Sequence, residues 1–343
     1  MARRPIACVT GATGFLASEL VAQLLGRGYR VHATVRSLAN AERNACLLNL
    51  PGATADTLAL FEADLLDDIA FDECVAGAHC VFHTASPFVT SNITDPHREL
   101  IAPALTGTRN VFSSIKRAVA SGAEPPRVVL TSSVAALMGT AADKAAYFDE
   151  SDWNFSSRAH GNPPGNGLDM YRYSKVVAER EAWRLAAEQQ LRLSTILPSF
   201  IVGPPRTPRT DGESLRNMRQ AMEGEMPHRD DTPIADVRDC ALAHIEAAER
   251  PAAAGLRFIL STPTAVPRAR LLHLLAAQYP TFAFADCGAP PEPAAAPREL
   301  FRSQNTGSVL GLALRDPDQS LLEMAAAMLA LGSVTPRRRE ELP

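Results

Sequence analysis

Short runs of β-branched and apolar residues alternate with longer amphipathic stretches from the start of this chain, and that rhythm restricts the fold more than any single motif. Residues 5–10 lead into 15–27, 30–35 into 39–50, and 57–62 into 71–76. Runs of strand length followed by helix-period segments are the pattern of βαβ units. It continues with a strand at 79–83, a helix at 98–121, a strand at 127–132, a helix at 168–189 and a strand at 191–198. Right-handed crossovers then place helices on both faces of a doubly wound parallel sheet, an α/β fold whose ligands bind beyond the carboxyl ends of the strands.

Beyond Pro198 the pattern loosens. Gly203-Pro204-Pro205-Arg206 interrupts it, a short helix over 215–223 follows, and a strand at 256–261 returns to the sheet. The expected organisation is a dinucleotide-binding domain from 1–202 and 236–263, a smaller, discontinuous substrate lobe from 203–235 and 264–335, and a tail at 336–343. The Pro/Ala stretch 290–297 reads as a surface connector. A chain of 343 residues, 46% apolar, can bury a full core. Its net charge of −4 carries no basic stripe, which argues against nucleic acid as a partner. Arg337-Arg338-Arg339 is balanced by Glu340 and Glu341 and reads as a solvated tail. The apolar run after Arg3 and Arg4 is too short for a signal segment or a membrane span. Six scattered cysteines without ligand spacing point to reduced thiols and a cytoplasmic location. No metal site is expected: His83 stands without a second ligand at metal spacing and reads as a packing residue. Asp236 and Asp239 are expected to pair with Arg238 and to cap a helix over 240–248.

Gly11 and Gly14 follow a strand and open a helix, the context of a dinucleotide (Rossmann) fingerprint, in which glycine permits the turn and free helix amides meet the pyrophosphate. The spacing is GxxGxxA, with Ala17 third. Where an NAD enzyme places an acid after the second strand, this chain has Arg36. An arginine fork suits the 2′-phosphate of NADPH, and Arg43 is placed to add a second cation. Asp64, after the third strand, is a candidate acceptor for the adenine amino group or else a turn residue.

Tyr171 and Lys175 are four apart and share a helix face. Tyrosine, with a pKa of about 10, needs help to exchange a proton near neutrality. A cation at about 4 Å in an effective dielectric near 20 is worth about 4 kcal/mol, or roughly three pK units. Tyr173 has valine at the equivalent spacing. Ser133, at a strand's carboxyl end, can hydrogen-bond a substrate oxygen as charge develops on it. Together these residues point to hydride transfer at a carbonyl carbon.

With Val9-Thr10-Gly11-Ala12-Thr13-Gly14-Phe15, Thr34-Val35-Arg36, Ala63-Asp64-Leu65, Val81-Phe82-His83-Thr84-Ala85-Ser86-Pro87, Leu197-Pro198-Ser199 and Asp236-Val237-Arg238-Asp239, the chain resembles the extended short-chain dehydrogenase/reductases over residues 5–335. Within them it is similar to the dihydroflavonol-reductase-like branch, which includes cinnamoyl-CoA reductases and microbial carbonyl and aldehyde reductases. The resemblance implies NADPH along Gly11, Thr13, Gly14, Phe15 and Leu16, with Arg36 and Arg43 on the 2′-phosphate and Asp64 and Leu65 beside adenine. It further implies Thr84, Ala85 and Ser86 along the cofactor, Pro198 and Ile201 flanking the nicotinamide, and Lys175 on its ribose while Tyr171 and Ser133 meet the carbonyl.

Met138 falls where plant dihydroflavonol reductases have an asparagine, and residues 168–173 lack the Asn-Trp-Tyr-Cys motif of cinnamoyl-CoA reductases. Ala17 is similar to the microbial enzymes, so a general carbonyl reductase is favoured, monomeric or homodimeric, acting on a small-molecule carbonyl substrate. Phe88 and Met138 are expected to wall the pocket, Arg172 either to pair with an acid on the helix surface or to meet a polar or anionic substituent of the substrate, and the turn-rich loop 154–167 to close as a lid. Two other readings share the motifs. A nucleotide-sugar epimerase or dehydratase would retain its cofactor; a non-catalytic NADP(H)-binding sensor commonly lacks the catalytic residues, which are present here.

Overall fold

The computed structural model describes residues 4–87, 93–139, 146–161, 164–208, 212–227, 231–286, 288 and 298–339. Phe88, Cys287, the 290–297 connector and the Glu340–Glu341 end of the tail lie outside the described residues.

Nine strands are described: β1 (Ile6–Val9), β2 (Arg30–Val35), β3 (Leu58–Glu62), β4 (Cys80–His83), β5 (Arg127–Thr131), β6 (Arg192–Pro198), β7 (Phe200–Val202), β8 (Ile234–Asp236) and β9 (Arg257–Leu260). Seven form one parallel sheet in the order β3-β2-β1-β4-β5-β6-β9, and β7 pairs with β8 in a second, two-stranded sheet. Strands buried on both faces need apolar residues throughout rather than alternation, and β1 and β4 are buried at every position. Cys8 serves as a small hydrophobe there; its thiol donates to Cys74 Sγ at 3.4 Å, and that bond with burial holds it protonated, well above the usual thiol range.

The helices are α1 (Phe15–Gly26), α2 (Ala41–Leu48), α3 (Asp72–Val75), α4 (Ala102–Ala120), α5 (Gly167–Glu188), α6 (Glu213–Met222), α7 (Val237–Glu249), α8 (Arg268–Gln278), α9 (Asn305–Ser308) and α10 (Pro317–Ala330). One apolar cluster joins the sheet to α1 and α7 through Leu20, Leu24 and Ala241. A second covers the opposite face through Phe112, Ile115 and Ala182 of α4 and α5. A third is built from Met218 and Met222 of α6, Leu272 and Leu275 of α8, and Met324 and Met328 of α10. Phe15, at the start of α1, packs against both the first and the third.

The sheet strands follow the sequence pattern to within a residue or two, with three differences elsewhere. The expected helix over 98–121 begins as a π-helical turn, His97–Ile101, before α4. Pro103 has no amide hydrogen for Glu99, and the wider turn absorbs that missing bond. Residues 264–335, left undivided by sequence, contain α8, α9 and α10. Asp236 does cap α7 and pair with Arg238, but Asp239 pairs with Arg315, whose backbone amide also donates to it at 2.7 Å. That partner is 76 residues away, beyond any local spacing rule.

Gly107 in α4 is where the helix meets the chain after β3. A Cβ built there would stand 2.6 Å from Leu65 Cδ2 and 3.2 Å from Leu65 Cβ. Alanine would set a helix-propensity gain of about 1 kcal/mol against displacement of Leu65. Gly107→Val has a smaller propensity gain and more bulk, and is expected to lower stability by about 1–3 kcal/mol, read as an earlier urea midpoint at unchanged slope, with Leu65→Ala restoring part of it.

Candidate active site

The sheet order reverses between β1 and β4, and the candidate residues gather at that carboxyl edge. Gly11, at φ +65°, turns the chain where a Cβ would meet Ala85 Cβ at 3.1 Å. Gly14 opens α1 without a side-chain cap, and the first turn holds no acid. Its leading amides and the positive end of the helix dipole are therefore available to a diphosphate, and the glycine cradle fits the group that the fingerprint implies. Thr13 and Leu16 are buried in the same turn.

Thr10 joins this turn to the next strand's end. Its hydroxyl accepts from the amides of Thr84 at 3.1 Å and Ala85 at 3.0 Å, which leaves its one proton for His83 Nδ1 at 2.9 Å. His83 is thus the Nε2–H tautomer, and burial, with Lys175 nearby, lowers its pKa to about 3. Beyond packing, the His83 hydrogen bond to Thr10 links the end of β4 to the glycine turn. Ser86 lines the small cavity, about 10 Å³, that also includes His83, Thr108, Ser132, Lys175 and Glu179.

Arg36 follows β2 and is exposed. Arg43 lies half-buried in the first turn of α2, its amide accepted by the Asn40 side chain at 3.0 Å. Asp64 uses one carboxylate oxygen to accept from the Leu66 amide at 2.8 Å, which makes it a turn residue with a second oxygen. Leu65 leans on Gly107, and its carbonyl accepts from Asn110 at 2.8 Å.

On the other side of the edge, Ser133 caps the turn Val134–Ala136, accepting from the Ala135 amide at 3.2 Å and donating to the Pro198 carbonyl at 3.4 Å. Tyr171 packs against Ala135 of that turn and against Leu100. Lys175 Nζ is 5.9 Å from the Tyr171 ring centroid. Burial lowers the lysine's pKa to about 8, with Glu179 pulling it back up. Tyr173 and Arg172 are half-buried. Ile201, in β7, packs against the first core cluster. Met138 packs with Leu137, Phe148 and Phe301.

The loop before α5 departs from the expected lid. Asn154 and Ser157 are buried, and the Asn154 amide donates to the carbonyls of Ala135 and Met138 at 3.0 Å each. Ser157 Oγ and the Arg158 amide donate to the two oxygens of Asp169 at 2.5 and 3.0 Å. The Asn154 side chain thereby ties the loop to the turn Val134–Ala136 and the residues after it, so this half of the loop is a fixed wall; Asn162 and Pro163 lie outside the described residues.

Sequence reasoning passed over Thr10, Ser132, Glu179 and Arg257. Glu179 continues the Tyr171–Lys175 stripe at the next four-residue step, and Arg257 stands in an otherwise apolar strand. A cation in such a strand signals a buried carboxylate partner.

The sequence model of the NAD dependent epimerase/dehydratase family matches residues 7–258. The chain belongs to this family. Its relatives include a putative anthocyanidin reductase of Ginkgo biloba, 37% identical over 292 residues that cover 80% of each chain. Cinnamoyl-CoA reductase 1 of Arabidopsis thaliana is 34% identical over 333 residues, covering 96% of this chain and 90% of that one. Among solved structures, yeast methylglyoxal/isovaleraldehyde reductase Gre2 in complex with NADPH superposes with a TM-score of 0.82 at 26% identity, covering 96% of this chain and all, 100%, of that one.

Three buried histidines, His32, His83 and His244, set how this family member responds to acid, and burial lowers the pKa of each. Burial lowers His83 to about 3 and His244 to about 4, below the ordinary 6.5. The unfolded chain therefore takes up protons first, and stability is complete above pH 6.5 and lost as the pH falls through the window between these values. The urea midpoint is expected to drop between pH 7 and pH 5, above the carboxylate range, and His244→Gln to flatten that slope.

Proposed function

We propose that this NAD(P)-dependent reductase of the extended short-chain dehydrogenase/reductase family reduces an aldehyde or ketone to the alcohol with NADPH. In this reading Tyr171 donates the proton, Lys175 supplies the nearby cation, and Ser133 donates a hydrogen bond to the carbonyl oxygen. One observation carries it: a buried tyrosine and lysine on one helix stripe face the turn capped by a strand-end serine, beside a glycine cradle shaped for a diphosphate. NADPH supplies the hydride when bound.

The chain's own groups cover the rest of the chemistry. As the carbonyl carbon accepts the hydride, negative charge grows on its oxygen; the Tyr171 hydroxyl donates to it, and the Ser133 hydroxyl does so by turning away from the Pro198 carbonyl, its long 3.4 Å acceptor. The Tyr171 proton moves to the oxygen, and a lysine cation next to the phenol eases its loss. The NADPH-bound Gre2 structure supports the choice of cofactor, and the exposed Arg36 supports NADPH over NADH. Met138 and the fixed wall at Asn154 favour a compact carbonyl substrate, with Arg172 toward a polar substituent.

The direct test is NADPH consumption against methylglyoxal, isovaleraldehyde, cinnamoyl-CoA, ketoesters and flavonoids. Tyr171→Phe is expected to abolish turnover while NADPH still binds, with Tyr173→Phe as the active control. A purified chain that retains its cofactor and shows no net consumption would instead fit an epimerase or dehydratase. Because Lys175 loses its proton as the pH rises through about 8, reduction is expected to decline on that alkaline side. Arg36→Ala is expected to weaken NADPH binding about tenfold to a hundredfold and leave NADH unchanged, read by fluorescence titration with both cofactors.

A further inference from the structure

Behind the proposed catalytic stripe lies a buried ion pair that joins α5 to the strand end before Ser133, to β6, to β9 and to the 150–153 segment. Glu179 is fully buried and Arg257 is 8% exposed. Arg257 donates from Nε to Glu179 Oε1 at 2.7 Å and from Nη2 to Oε2 at 3.1 Å. Glu179 also accepts from Thr195 Oγ1 of β6 at 3.0 Å, from Trp183 Nε1 at 3.3 Å, and from Ser132 Oγ at 2.5 Å. Ser132 immediately precedes Ser133. Arg257 Nη1 reaches the carbonyls of Glu150 at 2.9 Å and Asp152, and its guanidinium lies 4.0 Å over the Trp153 ring.

We infer that Glu179 and Arg257 are a positioning pair for this site, in which Glu179 fixes the Ser132–Ser133 strand end and faces Lys175 one helical turn away, while Arg257 balances the Glu179 charge and holds the 150–153 backbone. The inference rests on the catalytic reading of Tyr171, Lys175 and Ser133. A buried pair is a poor source of stability, since apolar residues of equal volume commonly do as well. Here the carboxylate gathers donors from Ser132 after β5, Thr195 of β6 and Arg257 of β9 as well as Trp183 of its own helix, an arrangement that an apolar replacement could not supply. The Lys175 ammonium and Glu179 line the same small cavity. The ionisable groups facing Lys175 are Tyr171 and Glu179 from α5 and His83 from β4, with Arg257 of β9 acting through Glu179. His83 is neutral throughout the range of the assay, so it does not contribute to an alkaline limb.

A structural pair and a positioning pair are separated by the sign of a pH shift. Glu179→Gln leaves Arg257 as an unbalanced cation near Lys175, which favours loss of the lysine and tyrosine protons. The alkaline limb of kcat/KM for NADPH-dependent reduction, assayed with the fastest carbonyl of the panel above, is expected to move about one pH unit lower. Arg257→Met leaves the Glu179 charge unbalanced, and the limb is expected to move by about the same amount upward. Arg257→Lys keeps the charge and is expected to return the limb to the wild-type position. NADPH affinity and thermal melting, measured alongside, identify the folded variants, and each variant carries its own sign, so misfolding of one leaves the other decisive. Folded variants that shift the limb in the same direction, or leave it unmoved, overturn the inference. If Tyr171→Phe turns over like the wild type, the catalytic reading itself fails; if it is inactive and the limb ignores the pair, only the pairing is wrong.

Discussion

A parallel sheet that is wound in both directions must split somewhere, and here the split between β1 and β4 determines what the rest of the molecule has to do. Past the ends of these strands the backbone has no ladder to continue, so its amides need other acceptors. The Thr10 hydroxyl meets that need for Thr84 and Ala85, and its proton goes to His83. One side chain therefore orients the glycine turn, the 84–86 segment and the imidazole near Lys175. Because Gly11 lies against Ala85, the two walls of the crevice are held at a separation that a single methyl group would change.

The second constraint is electrostatic. The inner stripe of α5 carries Tyr171, Lys175 and Glu179 at steps of four, all three buried. Burying three ionisable groups in a row is unfavourable unless their charges balance locally. The structure meets this by placing Arg257 on a distant strand and by keeping His83 and His244 neutral. His244 donates from Nδ1 to the Cys240 carbonyl and accepts from Thr131, so it also secures the residue leading into Ser132 and Ser133. Burial pulls the lysine's pKa down, and the Glu179 charge opposes that pull.

Much of this was legible from the chain alone, for identifiable reasons. The sheet strands are short apolar runs whose ends are marked by turn residues, so β2 was found at its observed limits and its neighbours within a residue or two. The glycine turn and the Tyr171–Lys175 spacing were readable because both obey local geometry. What escaped was non-local. Glu179 finds Arg257 across 78 residues, and the Asn154 side chain finds the carbonyls of Ala135 and Met138, more than a dozen residues earlier, at a turn no local rule points to. A loop full of turn-forming residues looks free until those bonds are seen. The π-helical turn before α4 was hidden because Pro103 is compatible with a helix start and shifts it by only a few residues.

The Asp239–Arg315 pair bears on whether this chain can be divided. Asp239 is buried in the first turn of α7, where burial raises its pKa and Arg315 opposes the rise. Arg238, beside it, reaches across to Glu323 of α10. The nucleotide-binding sheet thus relies on residues more than fifty positions beyond its last strand to neutralise an acid inside it. A shortened gene ending after β9 would encode all seven strands of the main sheet yet strand a carboxylate in its interior. Gene fusions, domain exchanges and circular permutations of this protein should therefore keep the segment from 305 to 330 together with the sheet, and seek their junctions in exposed turns instead.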